Sequence, residues 1–95
     1  MTVYALAQLT IHDRPAYARY VARFADTLPP FGARLLAADE APLVIEGEWK
    51  RDKAVLVEFP DEEAMRGWAS SPAYREIVGD RVSATEGPIL LIHGV

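Results

Sequence analysis

Apolar residues fall along the chain at two spacings, and these predict strands and helices in alternation. Residues 3–11 are almost continuously apolar, with Gln8 and Thr10 as polar members, which is typical of a strand buried on both faces. Asp13 can cap a helix that ends at the Pro29-Pro30 pair, because proline does not extend the helical hydrogen-bond ladder. Five apolar residues of this helix recur at helical spacing and are expected to form its buried face. They are Tyr17, Tyr20, Val21, Phe24 and Leu28.

The middle of the chain offers two candidate partners for one strand. Residues 54–59 are strongly strand-like, and residues 43–49 precede them across a charged loop at 50–53, which favours a hairpin. We expect the loop bases, Lys50, Arg51 and Lys53, to be solvated. Residues 34–38 are a further short strand, and the pattern leaves open whether they pair with 54–59 instead.

A second helical region follows Pro60. The acids at 61–63 suit a helix N-terminus, and Ser71 with Pro72 restarts the helix as cap and first residue. Residues 89–93 then form a last apolar strand. The side chains expected to point inward from this helical region are Ala64, Met65, Trp68, Ala69, Tyr74, Ile77, Val78 and Val82.

The order strand, helix, strand, strand, helix, strand predicts one α+β domain over residues 1–95, a ferredoxin-like βαββαβ fold with an antiparallel sheet. In this topology the first strand lies between the third and fourth, and both helices cover one face. The other face would be apolar and bare. Because monomers rarely expose a large apolar patch, we expect a homodimer in which two sheets face each other.

Composition narrows the function classes. The chain has no cysteine, which excludes disulfides, thiolate nucleophiles and sulfur-ligated metals. A net charge of -4 without a basic cluster argues against nucleic acid as a partner. No apolar run is long enough for a bilayer, so we expect no membrane partner and a cytoplasmic location. The glycines are scattered, and no phosphate-binding loop or other cofactor motif is evident.

Several motifs resemble one family. The sequences EGEW at 46–49, VEFP at 57–60 and WASSPAYREI at 68–77, with FGAR at 31–34 and Arg81, resemble the domain of unknown function 1330. The family typically has a glycine pair where this chain has Gly32 and Ala33. The resemblance covers nearly the whole chain and implies a dimeric α/β barrel, in which two ferredoxin-like sheets enclose a shared interior. It implies no established activity and no catalytic residues.

Glu58 is the one acid in the apolar strand at 54–59. Side chains alternate along a strand, so Val55, Val57 and Phe59 should face the helices and Glu58 the open face. The same alternation places Tyr4 and Gln8 on the open face. Desolvation raises the pKa of a carboxyl group there unless a partner stabilises its charge, and Tyr4 or Arg34 could be that partner.

Two histidines and two tryptophans are the other candidates. If His93 also faces the interior, Glu58 and His93 form a general acid–base pair; otherwise His93 is an exposed terminal residue. His12 belongs at the opposite end of the first strand, so no metal site is expected. Trp49 is an interface anchor or a ligand lid, and Trp68 is a core residue. Arg81 is a surface residue by default, or pairs with an acid of a partner chain.

Two functions remain open. In the first, the homodimer binds a small apolar or aromatic metabolite between its facing sheets, through Tyr4, Gln8, Arg34 and Trp49, without a cofactor. In the second, it is a cofactor-independent enzyme that uses Glu58 for proton transfer on a small organic substrate, with His93 assisting.

Overall fold

The computed structural model describes all 95 residues as a layer of helices packed on one face of an antiparallel sheet. Two short 3-10 turns follow the first helix. The elements in chain order are β1 (Val3–Ile11), α1 (Arg14–Phe24), β2 (Arg34–Asp39), β3 (Lys53–Phe59), α2 (Glu62–Ala69), α3 (Pro72–Ala84), β4 (Thr85–Glu86) and β5 (Ile89–His93). The α+β ferredoxin-like fold is confirmed. No helix is both long and apolar enough to cross a bilayer.

Capping residues set the starts of the helices, and the caps at Asp13 and Ser71 were predicted. The end of α1 was not: the helix stops at Phe24 instead of at the Pro29-Pro30 pair, and two 3-10 turns, Ala25–Thr27 and Pro29–Phe31, follow it. Asp13 accepts a hydrogen bond from the backbone N–H of Ala16 and starts α1, and Asp61 does the same for Ala64 at the start of α2. The Ser71 hydroxyl accepts from the N–H of Tyr74 and starts α3. These caps satisfy backbone donors that have no partner within the helix, so each helix begins where its cap residue stands.

The sheet is centred on β1. It pairs antiparallel with β3 on one side and with β5 on the other, while β4 extends the β5 side at the end of β1. The outer strand next to β3 is β2. Between β4 and β5 the chain turns at Gly87, whose φ of 131° and close approach to the Gln8 carbonyl leave no room for a side chain.

The predicted hairpin between residues 43–49 and 54–59 is wrong. Residues 40–52 form a loop, and β2 pairs with β3 instead, with Arg34 opposite Glu58. Leu43 and Ile45 are 84% and 82% exposed. The physical reason is that β2 already occupies the edge of β3. Moreover, the apolar run in the loop is short and lies between Pro42 and Gly47, which has a positive φ of 80°.

The core lies between the sheet and the helices. Val57 and Phe59 of β3 are buried against the helices, as alternation predicts, and Trp68 is 8% exposed. The aromatic rings of Trp68 and Tyr74 lie 3.9 Å apart between centroids. Three residues expected to point inward are exposed: Val21 at 44%, Val82 at 62%, and Ala69 at the end of α2.

Candidate functional site

Glu58 lies on the open face of the sheet, between the two residues predicted as its partners. It is opposite Tyr4 on β1 and opposite Arg34 on β2. The Arg34 guanidinium donates from Nε and Nη2 to Glu58 Oε1 at 3.2 and 3.1 Å. The carboxylate therefore has a counter-charge, and this ion pair links the edge strand β2 to β3.

Gln8 and Trp49 meet at the other end of the same face. The Trp49 indole Nε1 donates to Gln8 Oε1 at 3.0 Å. Next to it, Arg51 donates to the Thr10 hydroxyl at 3.2 Å. The loop of residues 40–52 thus contacts this end of the open face through Trp49 and Arg51.

His93 does not share a face with Glu58. It lies opposite Val3, which is 1% exposed and points toward the helices, and directly opposed residues point to the same side of a sheet. Its Nε2 is 3.9 Å from a carboxylate oxygen of Glu62 at the start of α2. Of the two alternatives for His93, the structure therefore supports the exposed terminal residue: Glu58 and His93 do not flank one interior within a subunit, because their side chains are on opposite sides of the sheet.

A cavity of about 310 Å³ lies on the helix-covered side, between the sheet and the helices. Seventeen of its nineteen lining residues are hydrophobic. Its floor includes Ala5 and Ala7, whose small side chains leave space above β1. Its roof is aromatic, with contributions from all three helices: Tyr17, Tyr20, Phe24, Trp68 and Tyr74.

The polar groups in this cavity are few. The hydroxyls of Tyr20 and Tyr74 are hydrogen-bonded to each other at 2.8 Å. Burial, and then the neighbouring Tyr74, raise the pKa of Tyr20 above its usual value, so its hydroxyl stays protonated. The remaining polar groups are the Tyr17 hydroxyl and two cations, Lys53 and Arg81.

Both cations differ from their predicted placement. Lys53, expected in a solvated loop, is the first residue of β3 and is 9% exposed, with its ammonium 4.8 Å from the centre of the Tyr17 ring. Arg81, expected at the surface, has a fully buried Nε with no hydrogen-bond partner. The alternation that places Val55 and Val57 toward the helices applies equally to Lys53, so the sequence did contain that information.

A shallow depression adjoins the cavity at one side. It shares Tyr17, Val21 and Lys53 with the cavity. An ion pair between Arg14 on α1 and Glu40 in the loop after β2 contributes to its wall. Hydrogen bonding to Glu40 raises the pKa of Arg14, which keeps this guanidinium charged. The depression is therefore a route by which a small molecule could reach the cavity from solvent.

Solved structures share the fold of this chain. A protein of unknown function from Rhodopseudomonas palustris is 20% identical, with a TM-score of 0.83, over 99% of this chain and 82% of that one. A dimeric ferredoxin-like protein of unknown function from Jannaschia sp. CCS1 is 21% identical, with a TM-score of 0.70, over 100% of both chains. SnoaB, a cofactor-independent oxygenase from Streptomyces nogalater, is 16% identical, with a TM-score of 0.61, over 99% of this chain and 93% of that one. At these identities the likeness establishes the fold alone.

No curated protein matches this chain. One protein-family model matches residues 2–95, which is nearly the whole sequence. The chain belongs to the family described as domain of unknown function 1330.

Proposed function

We propose that this protein is a homodimer that binds a small, mainly apolar organic molecule. The proposal moves the binding site from the space between facing sheets, where the sequence suggested it, to the partly open cavity between the sheet and the helices of each subunit. The observation that carries it is this cavity of about 310 Å³ with its apolar lining.

The properties of the cavity are those of a ligand site. Small-molecule pockets typically have volumes of about 300–1,000 Å³, apolar walls and a few polar groups that orient the ligand. The cavity is also accessible from solvent, since its lining residues Val21, Leu35 and Ile89 are 44%, 42% and 46% exposed. A cavity of this size in a domain of 95 residues therefore favours a binding function over a packing defect.

Binding can be tested with a neutral aromatic probe, 2-acetonaphthone, by isothermal titration calorimetry. We expect binding to the unmodified protein, and a loss of at least tenfold in affinity in Ala7→Leu, which places a larger side chain on the cavity floor. Ala73→Leu is the matched control, because Ala73 is exposed on α3 and does not line the cavity. Absence of binding, or equal affinity in both variants, would contradict the proposal.

The homodimer part of the proposal rests on the open face of the sheet. Its side chains include Leu6 and Leu56 on the central strands, and Leu90 and Ile92 on β5, which are 45% and 41% exposed. A face of this kind is rarely left in water. The dimeric ferredoxin-like protein from Jannaschia sp. CCS1, which has the same fold, supports this arrangement.

Light scattering after size-exclusion chromatography tests the dimer. We expect twice the mass of the 10.5 kDa chain, and monomers for Leu90→Asp, which places a charge beside Leu6 on the apolar open face. Val82→Asp is the control, because Val82 is an exposed apolar residue on the helix side. A monomeric unmodified protein at high micromolar concentration would overturn the dimer.

Proton transfer through Glu58 is the second candidate function. It is favoured by the position of this carboxylate, which Arg34 and Tyr4 flank on the face that a dimer would enclose. SnoaB, which shares the fold, is described as a cofactor-independent oxygenase. If a turnover is found, Glu58→Gln should abolish it while the protein remains a dimer; unchanged turnover would remove Glu58 from the mechanism. A cytoplasmic location stays a prediction.

A further inference from the structure

We infer that the molecule bound in the cavity is an organic anion: an acidic compound of one or two aromatic rings, whose ionised oxygen group lies beside Arg81 and Lys53. This inference rests on the proposed function and specifies its ligand class. It follows from the distribution of charge in the protein and from the shape of the cavity.

The cavity concentrates positive charge that the protein does not neutralise. Of the ten Lys and Arg side chains, six form ion pairs with carboxylates. Among the other four, Arg51 donates to a hydroxyl and Arg75 is exposed. The remaining two, Lys53 and Arg81, both line the cavity. None of the 14 acidic residues lines it, although the chain has a net charge of -4.

Arg81, a half-buried residue, has one buried hydrogen-bond donor without a partner. The Arg81 Nε is inaccessible to solvent and has no acceptor, so its hydrogen-bonding capacity is lost on folding. Buried polar atoms in proteins are normally hydrogen-bonded, because their desolvation is otherwise uncompensated. A ligand oxygen with a negative charge would supply both the acceptor and the counter-charge, and hydrogen bonds between ionised groups are among the strongest in proteins.

The two cations come from the same end of the fold. Lys53 lies opposite Leu9 near the end of β1. Arg81 lies one turn before Ala84, whose carbonyl accepts from the N–H of His12, the residue that follows β1. The anionic group is therefore placed at this end of the cavity, next to Tyr17.

The rest of the cavity suits an aromatic body. Trp68 contacts Tyr74 at 3.9 Å between ring centroids and lies 5.3 Å from the Phe59 ring, at the opposite end of β3 from Lys53. Phe24 and Met65 line the cavity near this group. Aromatic rings pack well against each other and against methionine sulfur. A volume of about 310 Å³ is at the small end of ligand pockets, which limits the ligand to one or two rings.

A pair of probes of nearly equal shape tests the charge. The probe 2-naphthoate carries a carboxylate where 2-acetonaphthone carries a neutral methyl ketone. By calorimetry at neutral pH, we expect the unmodified protein to bind 2-naphthoate at least tenfold more tightly. Arg81→Met should remove this preference while keeping affinity for the ketone. The control, Arg75→Met, changes an exposed and unpaired arginine on the same helix and should keep the preference.

The possible results separate this inference from the proposed function. Equal affinity for the two probes in the unmodified protein, or loss of both affinities in Arg81→Met with retained folding, overturns the anion inference and leaves the binding function standing. If neither probe binds, both fail. Should Arg81→Met not fold, Lys53→Met takes its place, with the same expected loss of preference. A preference retained in the folded Lys53→Met protein would then contradict the inference.

Discussion

The substitution Ala7→Leu tests whether the cavity exists, because it should raise the free energy of unfolding if the cavity is open and lower it if the space is already packed. Ala7 is in the middle of β1, opposite Val55 and Ile89, and lines the cavity floor with them. In a closely packed interior, a larger side chain forces strain and destabilises a protein by about 1–3 kcal/mol. Above an open cavity, the same side chain fills space and buries apolar surface.

The expected gain follows from the carbon atoms added. Leucine has three more carbons than alanine, and each buried methylene contributes about 0.8 kcal/mol, which gives roughly 2 kcal/mol. Ordering the leucine side chain costs about 0.5–1 kcal/mol. We therefore expect Ala7→Leu to raise the free energy of unfolding by about 1–2 kcal/mol, and the Tm by about 5–10 °C for a domain of this length.

Urea unfolding followed by circular dichroism, together with a thermal melt, measures this change. Ala73→Leu is again the matched control, because a substitution at this exposed position should stay within about 0.5 kcal/mol of the unmodified protein. A stabilised Ala7→Leu that has also lost probe binding fits an open ligand cavity. Destabilisation of Ala7→Leu by 1 kcal/mol or more, beyond that of the control, would refute the reasoning from cavity volume.

Three further predictions concern other features. Because burial raises the pKa of Tyr20 above its usual 10.0, the unfolded chain loses this proton first, and stability should fall as the pH rises above about 10. Tyr20→Phe should cost about 1 kcal/mol at neutral pH through the lost hydroxyl pair, and unfolding titrations should show this difference shrink above about pH 10. Gly87→Ala should destabilise the fold by several kcal/mol, because its Cβ would overlap a carbonyl of β1 at a positive φ; a Tm within about 2 °C of the unmodified protein would contradict this. Arg34→Ala should cost less than about 1 kcal/mol in urea unfolding of the monomeric Leu90→Asp background, since its ion pair with Glu58 is largely exposed; a larger loss would show that the pair is a main support of the sheet.

The sequence pattern was sufficient for the elements that alternation and capping specify. β1 has the predicted bounds of Val3 to Ile11, and α1 and α3 begin at their predicted caps, Asp13 and Ser71. Alternation correctly placed Glu58 beside Tyr4 on the open face. Capping depends on residues close together in the chain, and the face of a strand residue depends on the alternation of side chains at every second position. Both can be derived from the sequence alone.

The pairing partner of β3 could not be predicted in this way. Residues 34–39 and 43–49 are both apolar enough for an edge strand, and only their competition in three dimensions decides between them. The same limit applies to the cavity. Its volume depends on the spacing between the helix layer and the sheet, which no periodic pattern encodes, although the small residues Ala5 and Ala7 make the space available.

Lys53 shows how the cavity chemistry was missed. Its charge favoured a loop, but its parity with Val55 and Val57 placed it among the helices. Arg81 follows Tyr74 by seven residues, which is the same face of a helix, and this spacing also pointed inward. In both cases position in the pattern was a better guide than the residue's usual preference for water.

A crystal structure of the protein with 2-naphthoate tests the central claim most directly. We expect one molecule in each subunit, between the sheet and the helices, with its carboxylate beside Arg81 and its rings toward Trp68. A ligand found only on the open face beside Glu58, or an interior closed by the protein's own side chains, would contradict the account.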